Sequence, residues 1–259
     1  LRQEAVRLGY GNSFSIYDSA DSLRLITIVA KELNLDPKRY PARQFQSVIS
    51  NAKNELMGPH DYVNATKNQF EEVVADVYAI YQRRLQQANA MDFDDLILKA
   101  VRMLQEREDV RSHYQSRFQH VLVDEYQDVN RSQYLLTRLL ASNDGTENDI
   151  TANLCVVGDE DQSLYRFRGA TVRNILEFPS RQPGCKQIVL SVNYRSHSDI
   201  VAAYDTYMKG HDWVGPGAER FRFDKTIVPN PESVFPKYPA VISVLGASRE
   251  DEAAHLADF

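Results

Sequence analysis

Cysteine is scarce in this chain of 259 residues, with only Cys155 and Cys185, so a disulfide-stapled scaffold is excluded. Cys155 lies inside an apolar, strand-like run and is expected to be a small buried hydrophobe. No apolar run is long enough to span a bilayer, and the first residues have no signal-peptide layout. A cytoplasmic, reducing location fits these absences, with no membrane partner. A basic excess is also missing. The net charge of −6 excludes a uniformly basic surface, though not a local basic groove for nucleic acid. Finally, no segment reads as a Gly-rich loop ending in Lys-Ser/Thr, the usual cradle for a triphosphate.

What is present is ordinary in bulk: 43% hydrophobic and 25% charged residues, enough for one large or two ordinary domains. The first third reads as helical. Leu23, Ile26, Ala30 and Leu33 share one face of a helix ended by Asp36-Pro37. Phe45, Val48, Ile49, Ala52 and Leu56 make a second stripe, closed by Gly58-Pro59. Phe70, Val73, Val74, Val77, Tyr81 and Leu85 make a third. Asp92 caps a fourth helix, with Phe93, Leu96, Ile97, Ala100, Val101 and Leu104 inward. No strand pattern occurs before residue 118.

The texture then changes. His120–Asp124, Leu154–Gly158 and Gln187–Val192 read as short buried strands, separated by helices such as Arg131–Ser142. Strands alternating with helices imply a parallel sheet. A helix follows to about Lys209, then an irregular region from His211 to Pro239. A strand at Ala240–Leu245 and a helix at Arg249–Phe259 complete the expected elements. The chain starts like the middle of a helix, which gives the expectation of an excerpt from a longer protein.

Four clusters carry chemistry. Val121-Leu-Val-Asp-Glu-Tyr-Gln-Asp128 runs three β-prone residues into adjacent acids. A strand-end carboxylate suits Mg²⁺, a hard cation, and its neighbour can polarise an attacking water. Asp124 and Glu125 stand in these positions, although paired acids also begin many surface loops. Val156-Val-Gly-Asp-Glu-Asp-Gln-Ser163 ends a second strand in a polar burst, and Gln162 there can sense a terminal phosphate by hydrogen bonding. Tyr165-Arg166-Phe167-Arg168 alternates rings with guanidinium groups. Rings stack on unpaired bases and arginines meet phosphates, but core aromatics under a solvated basic face would look the same. In Asn193-Tyr194-Arg195-Ser196, an arginine just past a strand can reach transition-state charge, and Tyr194 can lie on a purine.

In order, Asp-Glu-Tyr-Gln-Asp, Gly-Asp-Glu-Asp-Gln-Ser-Leu-Tyr-Arg-Phe-Arg-Gly-Ala and Asn-Tyr-Arg-Ser resemble the UvrD/Rep/PcrA family of superfamily 1 DNA helicases. The upstream Asn89-Ala-Met-Asp-Phe-Asp-Asp-Leu96 is similar to the family too. The resemblance implies a helix-rich α/β fold, part of a RecA-like (P-loop NTPase) parallel sheet with a large all-helical inserted subdomain. Residues 1–91 would be that subdomain, with 1–13 ending a preceding motor-domain helix. Residues 92–192 would be the remainder of the first motor domain, and 193–259 the start of the second. Asp124 would hold Mg²⁺ and Glu125 would activate water. Gln162 and Arg195 would contact the γ-phosphate of ATP, Tyr194 would stack on adenine, and Tyr165, Arg166, Phe167 and Arg168 would line the DNA path. The family commonly has tryptophan where this chain has Phe167. The implied activity is ATP-driven 3′-to-5′ movement on single-stranded DNA and 3′-tailed duplex, in repair or replication. Without the phosphate loop, the chain alone is expected to be inactive. Two alternatives remain open: a helicase–nuclease subunit of the RecB/AddA type, and a naturally truncated, non-catalytic DNA- or protein-binding paralogue.

Overall fold

The computed structural model describes residues 1–142, 153–163, 171–182, 184–214, 221–233, 248 and 253. The chain divides into two compact units, Leu1–Pro183 and Gly184–Phe259. The strand expected at Ala240–Leu245 and the helix expected at Arg249–Phe259 lie outside the described residues, save Arg249's neighbour Ser248 and the lone Ala253.

The first unit opens with a 3₁₀ turn, Arg2–Leu8, and strand β1, Ser15–Tyr17. Four helices follow: α1 (Ser19–Glu32), α2 (Ala42–Asn54), α3 (Pro59–Ala65) and α4 (Gln69–Gln87). Their starts are written locally. Asp18 accepts from the amides of Ala20 and Asp21, and Asn68 accepts from that of Glu71. Their apolar faces meet in one core that includes Ile26, Val29, Phe45, Ile49, Val74, Tyr78, Tyr81 and Leu85. Tyr40, Phe45 and Phe70 stack there with ring centroids 6.2–6.4 Å apart.

Strand β2, Ala90–Asp92, then runs parallel to β1, pairing Ser15 with Ala90 and Tyr17 with Asp92. This corrects the expectation of no strand before residue 118. Three residues are too few to display alternation, and Ala90, Met91 and Asp92 are all buried. Asp92 also caps α5 (Phe93–Glu106) by accepting from the Asp95 amide at 2.8 Å, as expected. Phe93, expected to point inward, is exposed. Helix α6 (Glu108–Arg117) and helix α7 (Arg131–Ala141) pack with α5 around Val101, Leu104, Val110 and Leu139.

Strands β3 (His120–Val123) and β4 (Asn153–Val156) pair in parallel, Val121 opposite Leu154 and Leu122 opposite Cys155. Parallel pairing is as expected; burial is not. Leu122 is 74% exposed and Cys155 is exposed, so neither the strand residues nor this thiol is sealed in a core. A parallel sheet is buried only when both faces are covered. Here α7 packs along β3, and Leu122 and Cys155 share an outward face. Short helices α8 (Arg173–Leu176) and α9 (Phe178–Arg181) complete the described part of this unit.

In the second unit, β5 is only Val192–Asn193 and pairs in parallel with β6, Val228–Pro229. The strand expected over Gln187–Val192 is therefore reduced to its last residue. Ile188, Val189 and Leu190 are 66–78% exposed, because no described strand pairs with them. Helix α10, Ser198–Lys209, buries Val201 and Met208, and the Trp213 indole donates to the Met208 carbonyl at 2.7 Å. The described strands thus form three separate two-stranded parallel ladders in a helix-rich chain. No described helix is long and apolar enough to cross a membrane.

Candidate nucleotide-hydrolysis site

The first candidate site lies where β3 and β4 end. Pairing continues past the strands: Val157 donates to the Val123 carbonyl at 2.8 Å, and Tyr126 donates to the Val157 carbonyl at 2.9 Å. This draws the Asp124–Asp128 turn against the Gly158–Gln162 turn. Asp124 and Glu125 are exposed at the mouth of the turn. One Asp124 oxygen, Oδ1, accepts from the Glu125 amide at 2.9 Å. Glu125 has φ of 50°, a left-handed conformation that costs a non-glycine residue about 1–3 kcal/mol. Its surroundings hold it there: the Asp128 amide donates to its carbonyl at 2.9 Å, and Gln127 Nε2 donates to its Oε2 at 2.7 Å.

Gln127 is completely buried. Its Oε1 accepts from the Asp159 amide at 3.1 Å. Asp159 Oδ2 in turn accepts from Gln162 Nε2 at 2.8 Å, and Asp159 Oδ1 accepts from the Asp161 amide. The two turns expected to carry chemistry are therefore joined by side chains. Gly158 permits this closeness. A Cβ there would lie 2.5 Å from Gln127 Oε1 and 2.8 Å from Ile175 Cδ1. Beneath the turn, the Tyr126 ring is buried edge-on against Phe178, and burial pushes its hydroxyl up to about 12. Asn174 Nδ2 donates to the Val129 carbonyl at 3.1 Å, tying α8 to the same turn. On the other side, a cavity of about 740 Å³ is lined by Asp128, Asn130, Gln133, Ser50 and Asn54, among others. Asp124, Glu125 and Gln162 are not part of its wall.

A family model for the UvrD/REP helicase N-terminal domain matches residues 1–183. The chain belongs to the UvrD/REP helicase family. Among curated relatives, the ATP-dependent DNA helicase UvrD1 of Mycobacterium tuberculosis is 47% identical over 207 residues. That match covers 78% of this chain and 27% of the relative. The ATP-dependent DNA helicase PcrA of Bacillus subtilis is 43% identical over 211 residues, covering 82% of this chain and 28% of its own. PcrA of Staphylococcus aureus is 42% identical over 211 residues, with the same shares. The UvrD/REP chain described here thus spans little more than a quarter of the relatives it matches.

Within this UvrD/REP chain, the other expected site residues divide. Tyr165, Arg166, Phe167 and Arg168 lie outside the described residues. Tyr194 and Arg195 belong to the second unit, just past β5. Tyr194 is 73% exposed. The Arg195 and Ser196 amides both donate to Asn193 Oδ1, at 3.0 and 2.8 Å, which fixes this turn by its own side chain.

Two groups escaped the sequence reading. Gln127 carries no signal of its own in the sequence, because its bridging needs the β3–β4 pairing to bring it to Asp159, 32 positions on. The second is a buried charge cluster under the helices. Lys53 Nζ lies 2.6 Å from Asp92 Oδ2 and 3.1 Å from Asp95 Oδ1. The Tyr81 hydroxyl donates to Asp92 Oδ2 at 2.8 Å. A lysine next to Ala52 on the apolar stripe of α2, with Asp92 and Asp95 downstream, was the available signal.

Proposed function

We propose that this chain is part of an ATP-dependent DNA helicase, a 3′-to-5′ translocase on single-stranded DNA. The observation that carries the reading is the joined pair of turns: Asp124 and Glu125 on one, Asp159 and Gln162 on the other, in a UvrD/REP family chain. Relatives named as ATP-dependent DNA helicases support it. On this reading, residues 1–91 form an accessory helical subdomain inserted in the first RecA-like motor domain. Residues 92–192 complete that domain, and 193–259 open the second. The location would be cytoplasmic.

The residues suit ATP and Mg²⁺. Mg²⁺ keeps several waters and binds through one or two carboxylates plus phosphate oxygens. Asp124 offers one exposed carboxylate with Oδ2 uncommitted to the Glu125 amide. When bound, the cation would neutralise charge on the transferring phosphoryl group. Glu125 would orient and polarise the attacking water. Gln162 would hydrogen-bond the γ-phosphate, with Arg195 supplying transition-state charge and Tyr194 stacking on adenine. Tyr165, Arg166, Phe167 and Arg168 would line the single-stranded DNA path.

The test uses the full-length protein that contains these residues. Single-stranded DNA should stimulate its ATPase, and Glu125→Gln should lower kcat by about 10²-fold or more while ATP still binds. Unwinding should need a 3′ tail. An unimpaired Glu125→Gln variant, or preference for a 5′ tail, would refute the assignment.

A further inference from the structure

We infer that Gln127 is the positioning residue that locks the hydrolytic carboxylate to the phosphate-sensing turn. The inference rests on the ATPase reading above for its catalytic consequence, but its geometry is independent of it. Gln127 is fully buried and uses both ends of its amide on different turns. The Nε2 end donates to Glu125 Oε2 at 2.7 Å and approaches Asp128 Oδ2 at 3.4 Å. The Oε1 end accepts from the Asp159 amide at 3.1 Å. Asp159 then receives Gln162 Nε2 at 2.8 Å. A continuous path of three hydrogen bonds thus runs from Glu125 to Gln162.

Three features make this a built contact. Glutamine is an uncharged side chain with a donor at one edge and an acceptor at the other. Both are needed here, because one neighbour is a carboxylate and the other an N–H. Glu125 sits in a left-handed conformation that its neighbours must enforce. Only glycine at 158 allows this approach, since a Cβ there would lie 2.5 Å from Gln127 Oε1. A buried, fully used polar group is costly to disturb, and its two bonds stand or fall together.

Glu125 and Gln162 would therefore move as one body. A shift of Gln162 on loss of the γ-phosphate would be passed to Glu125 through Asp159 and Gln127. Misplacement of a catalytic group by about 1 Å can cost about 10²-fold in rate.

The experiment compares the full-length wild type with Gln127→Met and Gln127→Glu. Methionine keeps the shape and loses both hydrogen bonds. Glutamate keeps an acceptor for the Asp159 amide but sets a second carboxylate against Glu125. Two readouts are taken: DNA-stimulated ATPase, split into kcat and the KM for ATP, and hydrogen exchange of the peptide covering residues 158–163. Gln127→Met should lower kcat about 10²-fold with KM changed less than about twofold, and should speed exchange in 158–163. Gln127→Glu should restore slow exchange there but leave kcat low. Faster exchange with kcat unchanged in Gln127→Met would make the contact merely structural and overturn the inference. Lowered kcat with unchanged exchange would overturn the bridge. If the wild type showed no DNA-stimulated ATPase, the proposed function would fail, and the exchange comparison alone would decide the bridge.

Discussion

Lys53 has no exposed side-chain surface, and it faces Asp92 and Asp95 under a lid of tyrosine rings. Its ammonium lies 5.2 Å from the Tyr81 ring centroid and 5.8 Å from that of Tyr78. Burial, then the two carboxylates, pushes the hydroxyls of Tyr78 and Tyr81 well above the usual range. A buried ion pair adds little net stability over an apolar pair, but breaking one by removing a single partner leaves a stranded charge. Lys53→Ala should therefore destabilise the first unit by about 3–5 kcal/mol. Denaturant unfolding followed by helical circular dichroism would measure this, and a loss under about 1 kcal/mol would show that water reaches the site. Lys53→Met with Asp92→Asn and Asp95→Asn should recover much of the loss. Glu125 is a contrasting residue: it is exposed, and its left-handed backbone is held by hydrogen bonds from Gln127 and Asp128, the first of which also reaches the neighbouring turn.

Helix α3 shows how an element start becomes pH-sensitive. The Gly58 amide donates to Asp61 Oδ2 at 2.9 Å, and Arg102 pairs with the same oxygen. The amide first, and then the guanidinium, hold the Asp61 carboxyl below its ordinary range. A depressed folded value contributes stability that is complete above the unfolded value, about 3.9, and is lost as pH falls through the folded one. Asp61→Asn should flatten the acid limb of the stability curve below about pH 4. At pH 7 it should cost less than about 1 kcal/mol, since both partners are largely exposed. Thermal unfolding as a function of pH would check both. Elements like this were legible where a cap or a stripe announced them. Asp92 as a cap and most of the α2 and α4 faces are legible because their signals lie within a few residues, whereas the sealed Val29 of α1 is missed and Leu56 lies past the end of α2, at a φ of 64°, packed with the Val101–Leu104 cluster. The β1–β2 ladder was not legible, since its partners lie far apart in sequence and each strand has three residues. The exposure of Leu122 and Ile188–Leu190 was misread for a different reason. An apolar run declares that a strand can be buried, while what covers it is decided elsewhere. At the candidate site, the two polar turns are legible as clusters at strand ends, but their tie through Gln127 emerges only from the register.

At the scale of the whole molecule, the chain spans 27–28% of the relatives it matches. Its 259 residues include no Gly-rich Lys-Ser/Thr loop. The backbone amides and lysine of such a loop supply the main cradle for a triphosphate. The 259-residue polypeptide, expressed by itself, is therefore expected to show helical circular dichroism but no ATPase above background, with or without single-stranded DNA. DNA-dependent turnover by that polypeptide would mean that the turns at β3 and β4 suffice to hold ATP.

The short ladder between β1 and β2 has a consequence for how such chains can change over time. The backbone leaves for the helices after Tyr17 and returns at Ala90, and Ser15 and Ala90 are strand partners. Neighbouring strands lie about 4.8 Å apart. Departure and return are thus adjacent points, while the middle of the excursion is held by other contacts, Lys53 with Asp92 and Asp95 and Asn54 with Asn130. A change in the length of the segment is therefore expected to be tolerated only where it spares both the ladder and those contacts. The ladder pins the two ends of the loop of helices, and the buried ion cluster pins its middle.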